Sequence, residues 1–320
     1  MLLNKRNWLK HFYCLILGLT LCYFKAGAQA SLFANTYGNA LFENKMFLNP
    51  AYAGSNNVWQ ASGVLRVPVN NNVDGAPKDI DVCVQGPIAK YAGIGFNLYK
   101  YSSGIIANTS FSFNYSFAVN LAKESKMLLG VICDINKTTV DQNGNAFNGA
   151  LYDVNDPLLL TFNSRPPAVN AGIGAVYQNK NIEVQFCLPT CNSFFSKADT
   201  IATEYEYAKY NATASYKLVI SEERGSYVKL LAGITAYNGV ASKNIIHAGA
   251  YVDMMKLFSV YAVYNTNSTI GLGLGLKAGD NFRLGLNYTM GGLYSNAVYG
   301  GKGVGELCVT INLSKRKNSN

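Results

Sequence analysis

Residues 109–122 read TSFSFNYSFAVNLA, and the fold follows from this stretch. Every second side chain is large and apolar, and the side chains between them are small or polar. A β-strand sends successive side chains to opposite faces, so the alternation predicts a strand with one apolar face. Globular strands usually have about 5–6 residues, whereas a tilted strand of about 9–11 residues crosses a bilayer. A transmembrane strand is one interpretation, and a long strand of a soluble sandwich or barrel is the other. The apolar face comprises Phe111, Phe113, Tyr115, Phe117, Val119 and Leu121, and the polar face comprises Ser110, Ser112, Asn114, Ser116, Ala118 and Asn120.

The composition favours the membrane interpretation. Charged residues make up 14% of the 320-residue chain and hydrophobic residues 49%, whereas about 25% is a typical charged fraction. Low charge without a long apolar run is typical of a transmembrane β-barrel. Four of the 27 basic residues lie in residues 1–28, which hold no acidic residue, so 23 basic and 18 acidic residues remain, a net charge of +5. These charges form no concentrated basic stripe, and we expect no nucleic-acid partner.

Residues 1–28 are predicted to be a secretory signal peptide. Three basic residues precede an apolar run at 11–24, and Ala26-Gly27-Ala28 is a small-residue cleavage site. The run is shorter than the roughly 20 residues that a spanning helix requires. After cleavage no other apolar run is long enough, so a membrane protein of this sequence must be a closed barrel, which satisfies every backbone group in lipid.

Strand patterns and turn signals alternate from residue 56 to residue 313. Short turns, such as 123–125, tend to alternate with longer loops, such as 141–167, which is the layout of outer-membrane barrels. In 269–277 the apolar residues alternate with glycines, so the former are predicted to face lipid and Gly271, Gly273 and Gly275 the lumen. About fourteen antiparallel strands are predicted, at 57–66, 79–85, 92–101, 109–122, 126–140, 168–178, 182–188, 205–220, 227–237, 244–253, 257–265, 269–277, 282–290 and 303–313.

The segment between the leader and the first strand has no strand or helix period. It is rich in Asn, Gly and aromatic residues, and Pro50 and Gly54 mark its end. A disordered N-terminus is one interpretation, but the large apolar side chains favour a packed segment. We therefore expect an extended segment in or under the barrel. The predicted organisation is a signal peptide at 1–28, a plug or capping segment at 29–55, the barrel at 56–313 and a basic tail at 314–320.

No constellation of catalytic or metal-binding residues emerges. His247 is the only histidine after the leader, which excludes a multi-histidine site. The glycines at 271–275 lie in a strand pattern and open no helix, so they do not form a phosphate loop. We therefore expect no enzyme activity, cofactor or metal. Five cysteines remain after the leader, and a disulfide between Cys187 and Cys191 across a loop stays open.

The longest loop, 141–167, carries an unusual amount of apolar surface. Apolar patches of this kind usually mark a binding surface, and an inward fold of the loop as a plug is the alternative. The candidate partner-binding residues are Phe147, Tyr152, Leu158, Leu159, Leu160 and Phe162.

Three stretches together resemble the PorP/SprF family of type IX secretion outer-membrane proteins. The most specific is the NPAYAG signature before the first strand, formed by Asn49, Pro50, Ala51, Tyr52, Ala53 and Gly54. The strand at 205–218 is similar to the family's aromatic strand, and Gly303-Val304-Gly305-Glu306 to its closing strand. Arg66 matches an expected arginine. Departures at 67–70, at 287–290 and at Leu313 indicate a divergent member.

The resemblance implies a non-catalytic protein of the outer membrane. Family members act with the type IX secretion and gliding machinery. Some help a secreted protein with a sorting domain to reach and stay at the cell surface, and others link to the periplasmic motor complex. The expected partners are therefore outer-membrane lipid, such a secreted protein and other secretion components. The alternative function is a transport channel, either porin-like or for hydrophobic ligands.

Overall fold

The computed structural model describes residues 42, 44–69, 76, 78–140, 163–164, 166–189, 207–238, 244–266, 268–279, 281–291 and 303–313. The predicted signal peptide, the first part of the predicted plug and the basic tail lie outside these residues. Among the described residues, no helix has the length and apolar character needed to span a membrane.

Fourteen described strands form one closed antiparallel barrel, which confirms the predicted fold class and strand number. Each strand pairs with its neighbours in sequence, and the first strand pairs with the last, from Gln60 opposite Asn312 to Val69 opposite Gly303. The strands are β1 (Gln60–Val69), β2 (Lys78–Ala89), β3 (Ala92–Ser103), β4 (Ile106–Ala122), β5 (Ser125–Val140), β6 (Ala168–Gln178), β7 (Ile182–Leu188), β8 (Tyr207–Ser221), β9 (Ser226–Asn238), β10 (Ile245–Met254), β11 (Phe258–Asn265), β12 (Thr269–Ala278), β13 (Phe282–Gly291) and β14 (Gly303–Asn312).

The predicted bounds of the first two strands are wrong. Strand β1 begins three residues later than predicted and continues to Val69. Strand β2 runs through Pro87 to Ala89, four residues beyond its predicted end at residue 85, and a register shift between Pro87 and Ala89 accommodates the proline. A proline lacks the N–H that a regular ladder needs, so strands tolerate it at such irregularities.

The connections distinguish the two ends of the barrel. At the end where β1 begins, the connections are short, at 90–91, 123–124, 179–181, 222–225, 255–257 and 279–281. At the other end, four of the seven connections have 8 to 27 residues, the one between β9 and β10 has six, and those between β3 and β4 and between β11 and β12 have two or three. Outer-membrane barrels keep short turns on the periplasmic side. We therefore name the first end the periplasmic end and the second the outer end.

The strands carry the predicted two faces. In β4, Phe117 is 44% exposed on the outside of the barrel, and Asn114 is 2% exposed on the inside. In β12, Leu274 is 58% exposed, and the glycines beside it are buried toward the lumen. The apolar residues of the alternating pattern therefore face lipid, and the small or polar residues face the lumen.

Replacing Phe117 with arginine should lower the free energy of unfolding by about 2–4 kcal/mol, because the charge enters the lipid-facing band. Asn114 and Ser116 lie on the opposite face of the same strand, but both are buried, and Ser116 contacts the N-terminal segment, so arginine at either position would not be a mild change. Asn120→Arg is the better control, because Asn120 is exposed near the periplasmic end of the same strand. Urea titrations in lipid vesicles measure the free energy of unfolding of both variants. An equal decrease in the two would mean that the lipid and lumen faces are misassigned.

Candidate functional site

The described N-terminal residues, 42 and 44–54, lie inside the barrel, and we call them the lumen segment. An extended segment was expected, but it forms two 3₁₀ turns, Lys45–Phe47 and Pro50–Tyr52. Each turn follows an asparagine whose side chain caps it, since Asn44 Oδ1 accepts from Met46 N and Asn49 Oδ1 from Ala51 N. Asparagine at the cap and proline in the first turn are residue types that favour a helical turn.

The lumen segment is as buried as a protein core. Ala51 and Ala53 are 0% exposed, and Tyr52 is 4% exposed. Their apolar neighbours come from the segment itself and from the inner wall. The buried cluster consists of Met46, Ala51, Tyr52, Ala53, Cys83, Leu128 and Val176, with Phe47 and Ala118 packed against it.

Glycines of the barrel wall make room for this segment. A Cβ atom on Gly130 of β5 would overlap the backbone of Pro50 and Ala51, and one on Gly174 of β6 would overlap the Asn49 side chain. Gly130 and Gly174 are paired across β5 and β6. The wall is therefore shaped to receive the backbone of the segment at this point.

Gly54 ends the segment in a conformation that other residues rarely adopt. Its φ is +64°, and a Cβ atom there would also overlap the Gly86 carbonyl of β2. Its N–H donates to Gln85 Oε1 at 3.1 Å. Both the backbone angle and the close approach require glycine at this position.

Side-chain hydrogen bonds attach the segment to several strands. Asn49 Nδ2 donates to the carbonyls of Ala175 (3.4 Å) and Phe186 (3.1 Å), on β6 and β7. Ser116 Oγ of β4 donates to the Ala53 carbonyl at 2.5 Å. Buried polar groups outside a sheet ladder need hydrogen-bond partners. These bonds supply partners for the Asn49 side chain and the Ala53 carbonyl, so the irregular segment can lie within the barrel.

A buried charge cluster joins the segment to the wall near the periplasmic end. Lys45 Nζ lies 2.6 Å from Glu183 of β7, and Lys229 Nζ of β9 lies 3.0 Å from the same carboxylate. Burial lowers the pKa of Lys45 to about 8, although the Glu183 charge opposes the shift. Lys45 therefore gives up its proton more readily than an exposed lysine.

The opposite side of the lumen holds the start of the segment by aromatic packing. Phe42 stacks on Tyr251 of β10, with ring centroids 5.0 Å apart, and contacts Tyr261 of β11 at 4.5 Å. Leu48 packs against the same cluster. The lumen segment thus crosses the lumen from the β10–β11 wall to the β2–β7 wall.

A second charge network closes the barrel toward its outer end. Arg66 of β1 donates from Nε to Glu306 of β14 at 2.6 Å, and from Nη1 to Asp79 of β2 at 2.9 Å. Arg66 and Glu306 are 5% and 4% exposed. The two residues face each other across the β1–β14 seam, so the pair joins the first and last strands of the barrel.

The lumen segment contains the NPAYAG residues, and these lie within the part of the chain that a family profile matches. The profile of the family described as "Type IX secretion system membrane protein PorP/SprF" matches residues 34–308. The chain belongs to this family. As a PorP/SprF protein with a closed 14-stranded barrel, it is an outer-membrane protein. No curated protein matches the chain.

Solved structures share the barrel fold with this PorP/SprF protein. The toluene transporter TbuX of Ralstonia pickettii aligns with a TM-score of 0.50 at 9% identity, over 85% of this chain and 94% of that chain. Omp33 of Acinetobacter baumannii aligns with a TM-score of 0.47 at 9% identity, over 80% and 98%. A FadL homologue of Pseudomonas aeruginosa gives 0.47 at 10% identity, over 85% and 94%. Likeness at these identities shows the fold alone.

The structure brings together one of the two predicted site groups. The six NPAYAG residues lie in the lumen of the PorP/SprF barrel, whereas the candidate loop residues Phe147, Tyr152, Leu158, Leu159, Leu160 and Phe162 lie outside the described residues. Asn163, the residue after the last of these candidates and still within the 141–167 connection, is fixed to β5. Its side chain accepts from Val140 N (2.8 Å) and donates to Val140 O (2.9 Å), and its carbonyl accepts from Lys137 Nζ (3.1 Å).

The remaining candidate residues lie in the barrel wall or outside the described residues. His247 is buried, with Nε2 3.2 Å from Thr213 Oγ1, and packs close to Gly233. Cys191 is not among the described residues, so the question of its pairing with Cys187 is untested. Within the described part of the chain, no group of three or more His, Cys, Asp or Glu side chains could hold a metal ion.

Proposed function

We propose that this protein is a non-catalytic docking barrel of the type IX secretion machinery. Its outer loops bind the sorting domain of a secreted protein and help to hold that protein at the cell surface, and its periplasmic end links to the periplasmic part of the machinery. The observation that carries the proposal is the buried lumen segment. A barrel whose lumen holds a close-packed segment is suited to present its ends rather than to pass solutes.

The packing of the NPAYAG residues supports a segment that stays in the lumen. Ala51 and Ala53 are fully buried, and Gly130 and Gly174 have no side chain where the segment touches the wall. A segment that moves aside for each solute would gain little from such a fit, because close packing favours one discrete arrangement. The rival function is a transport channel, which the name of TbuX suggests. An open channel would conduct ions in a planar bilayer.

Recognition of the secreted protein is assigned to the loops of the outer end. Barrel walls are committed to lipid and lumen, and loops freed from strand pairing commonly carry binding residues. The apolar residues of 144–162 supply the kind of surface that marks a binding site. Asn163 and Lys137 fix the end of this loop to β5.

Deletion of residues 144–162 tests this assignment, with Asn163 retained so that its bonds to β5 remain. We expect the deletion to abolish surface retention of the secreted partner, while the barrel stays folded and heat-modifiable on gels. A matched variant that replaces the six apolar loop residues with serine should give the same loss. Retention at the wild-type level in both variants, with barrels that stay closed to small solutes, would refute both a binding and a plugging role for the loop.

A further inference from the structure

Three lysines lie close together on the wall of the barrel at its outer end, and we call Lys78, Lys100 and Lys137 the lysine cluster. Lys100 of β3 and Lys137 of β5 are both paired with Thr109 of β4, which lies between them. Neighbouring strands are about 4.8 Å apart, so the Cα atoms of these two lysines are about 10 Å apart. Lys78 of β2 is paired with Ser102 of β3, which places it on a diagonal about 7–8 Å from Lys100.

Strand alternation places the cluster on the lipid-facing side of the wall. Each lysine is two residues from an apolar side chain of the same strand that is exposed on the outside of the barrel. These apolar neighbours are Ile80, Leu98 and Ile135.

The acidic residues at the outer end of the same strands lie on the opposite face, in the lumen. Asp79 pairs with Arg66 there at 2.9 Å. Asp81 is buried, and Asp134 accepts a hydrogen bond from Ser110. At the outer end of the described parts of β2–β5, the charges on the lipid side are therefore all positive.

The ammonium groups of the cluster keep donors for a ligand. Lys78 and Lys100 are exposed, and neither forms an ion pair within the described part of the chain. The Lys137 ammonium donates to the carbonyl of Asn163, a neutral acceptor that takes one of its three N–H groups. The loop acids nearest in sequence, Asp74 and Asp141, lie outside the described residues.

The height of the cluster matches that of the outer-leaflet headgroups. On the lipid face of β4 the apolar side chains extend from Phe111 to Leu121. Ten residues at about 3.3 Å per residue and a tilt of about 40° span about 25 Å, which is the height of the apolar band of an outer-membrane barrel. Thr109 is the next outward position on this face, so Lys100 and Lys137 beside it lie directly above the band.

An exposed apolar surface lies directly below the lysines. Leu98, Phe111 and Ile135 are paired across β3, β4 and β5 and form the row beneath Lys100 and Lys137. All three are exposed to lipid. This side of the barrel therefore presents hydrocarbon-binding surface and cations in the order in which an anionic lipid presents its acyl chains and its headgroup.

We propose that the lysine cluster binds a phosphorylated lipid of the outer leaflet, of the lipid A type. The ammonium groups donate to its phosphate oxygens, and its acyl chains lie along Leu98, Phe111 and Ile135. Lysines clustered at a membrane surface attract anionic headgroups, and lysine binds phosphate as a point charge. The inference goes beyond the docking function and does not depend on it, because it requires only that the barrel lies in the outer membrane.

The test is binding of bisphosphorylated lipid A to the full-length barrel in detergent micelles at low ionic strength, measured by native mass spectrometry. Wild type should bind this lipid about tenfold or more tightly than the same lipid without its phosphates. The double variant K78Q/K100Q should lower the affinity for the phosphorylated lipid by about tenfold or more, because two cations near the phosphates are lost. Lys137 is retained so that its bond to Asn163 remains.

Two double variants serve as controls, and heat modifiability on gels checks that each barrel is folded. K78R/K100R keeps both charges and should bind the phosphorylated lipid as wild type does. K90Q/K123Q removes two exposed lysines from periplasmic turns and should also bind it as wild type does.

Equal affinity of wild type for the phosphorylated and dephosphorylated lipids would overturn the proposal, because the lysines would then contribute nothing to binding. Wild-type affinity in K78Q/K100Q, or an equal loss in K90Q/K123Q, would overturn it as well. Displacement of the lipid by millimolar inorganic phosphate would also contradict it, because the cluster would then be a site for free phosphate.

Discussion

Replacing Gly130 with alanine should release the lumen segment from the wall. The added Cβ atom would overlap the backbone of Pro50 and Ala51, which cannot rotate away as a flexible side chain could. Overpacking of this kind typically destabilises by about 1–3 kcal/mol, which corresponds to roughly a 5- to 150-fold larger fraction of undocked segment. Trypsin offers a direct readout, because Lys45 lies within the segment and is protected while the segment is docked.

The control for this substitution is a second lumen-facing glycine. A Cβ atom on Gly271 would meet its nearest neighbours at 3.6 Å, an ordinary contact distance. Trypsin should therefore cut the folded Gly271→Ala variant at Lys45 as slowly as it cuts wild type, and cut Gly130→Ala much faster. Equal cleavage rates in the two variants would show that the segment is not held against Gly130.

Removing the Glu306 carboxylate should have the largest effect on barrel stability. Glu306→Ala leaves the Arg66 guanidinium buried without its closest partner at the β1–β14 seam. Breaking a buried pair in this way typically lowers the free energy of unfolding by about 3–5 kcal/mol. Glu306→Gln should lower the free energy of unfolding by less, because the amide oxygen still accepts from Arg66 Nε. Urea titration of the barrel in lipid vesicles measures the change.

An exposed ion pair on the same barrel serves as the control. The side chains of Lys180 and Glu222 are 61% and 77% exposed, and surface pairs contribute about 0–1 kcal/mol. Lys180→Ala should therefore leave the unfolding transition almost unchanged. If Glu306→Ala and Lys180→Ala shift the transition equally, Arg66 and Glu306 do not form a closing pair.

The strands could be predicted from the sequence because each one carries its own signal. The apolar and small residues of β4 alternate without interruption, and the environment on either side of a barrel wall imposes that period. Boundaries were less accurate where a local irregularity intervened, as at Pro87 in β2. No nearby residue in the sequence indicates whether a bulge continues the strand beyond the proline.

The contacts that hold the lumen segment could not be predicted in the same way. Glu183 lies 138 residues from Lys45, and Glu306 lies 240 residues from Arg66, so only barrel closure brings these groups together. Gly271, Gly273 and Gly275 were predicted to face the lumen, but they did not identify what fills it. Met255 and Lys256 form the turn between β10 and β11, and both have positive φ. The sequence did not indicate this turn type, because it lacks the Asn-Gly pair that predicts two such residues in a hairpin.

The most direct test of a docking barrel with an occupied lumen is ion conductance in planar lipid bilayers. We expect the wild-type protein to insert without stepwise current, because the lumen segment stays packed against Gly130 and Gly174. The Gly130→Ala/Gly174→Ala variant should produce stepwise openings, and Gly271→Ala should remain silent. Stepwise conductance by the wild type, equal to that of the double variant, would contradict the docking barrel and favour a transport channel.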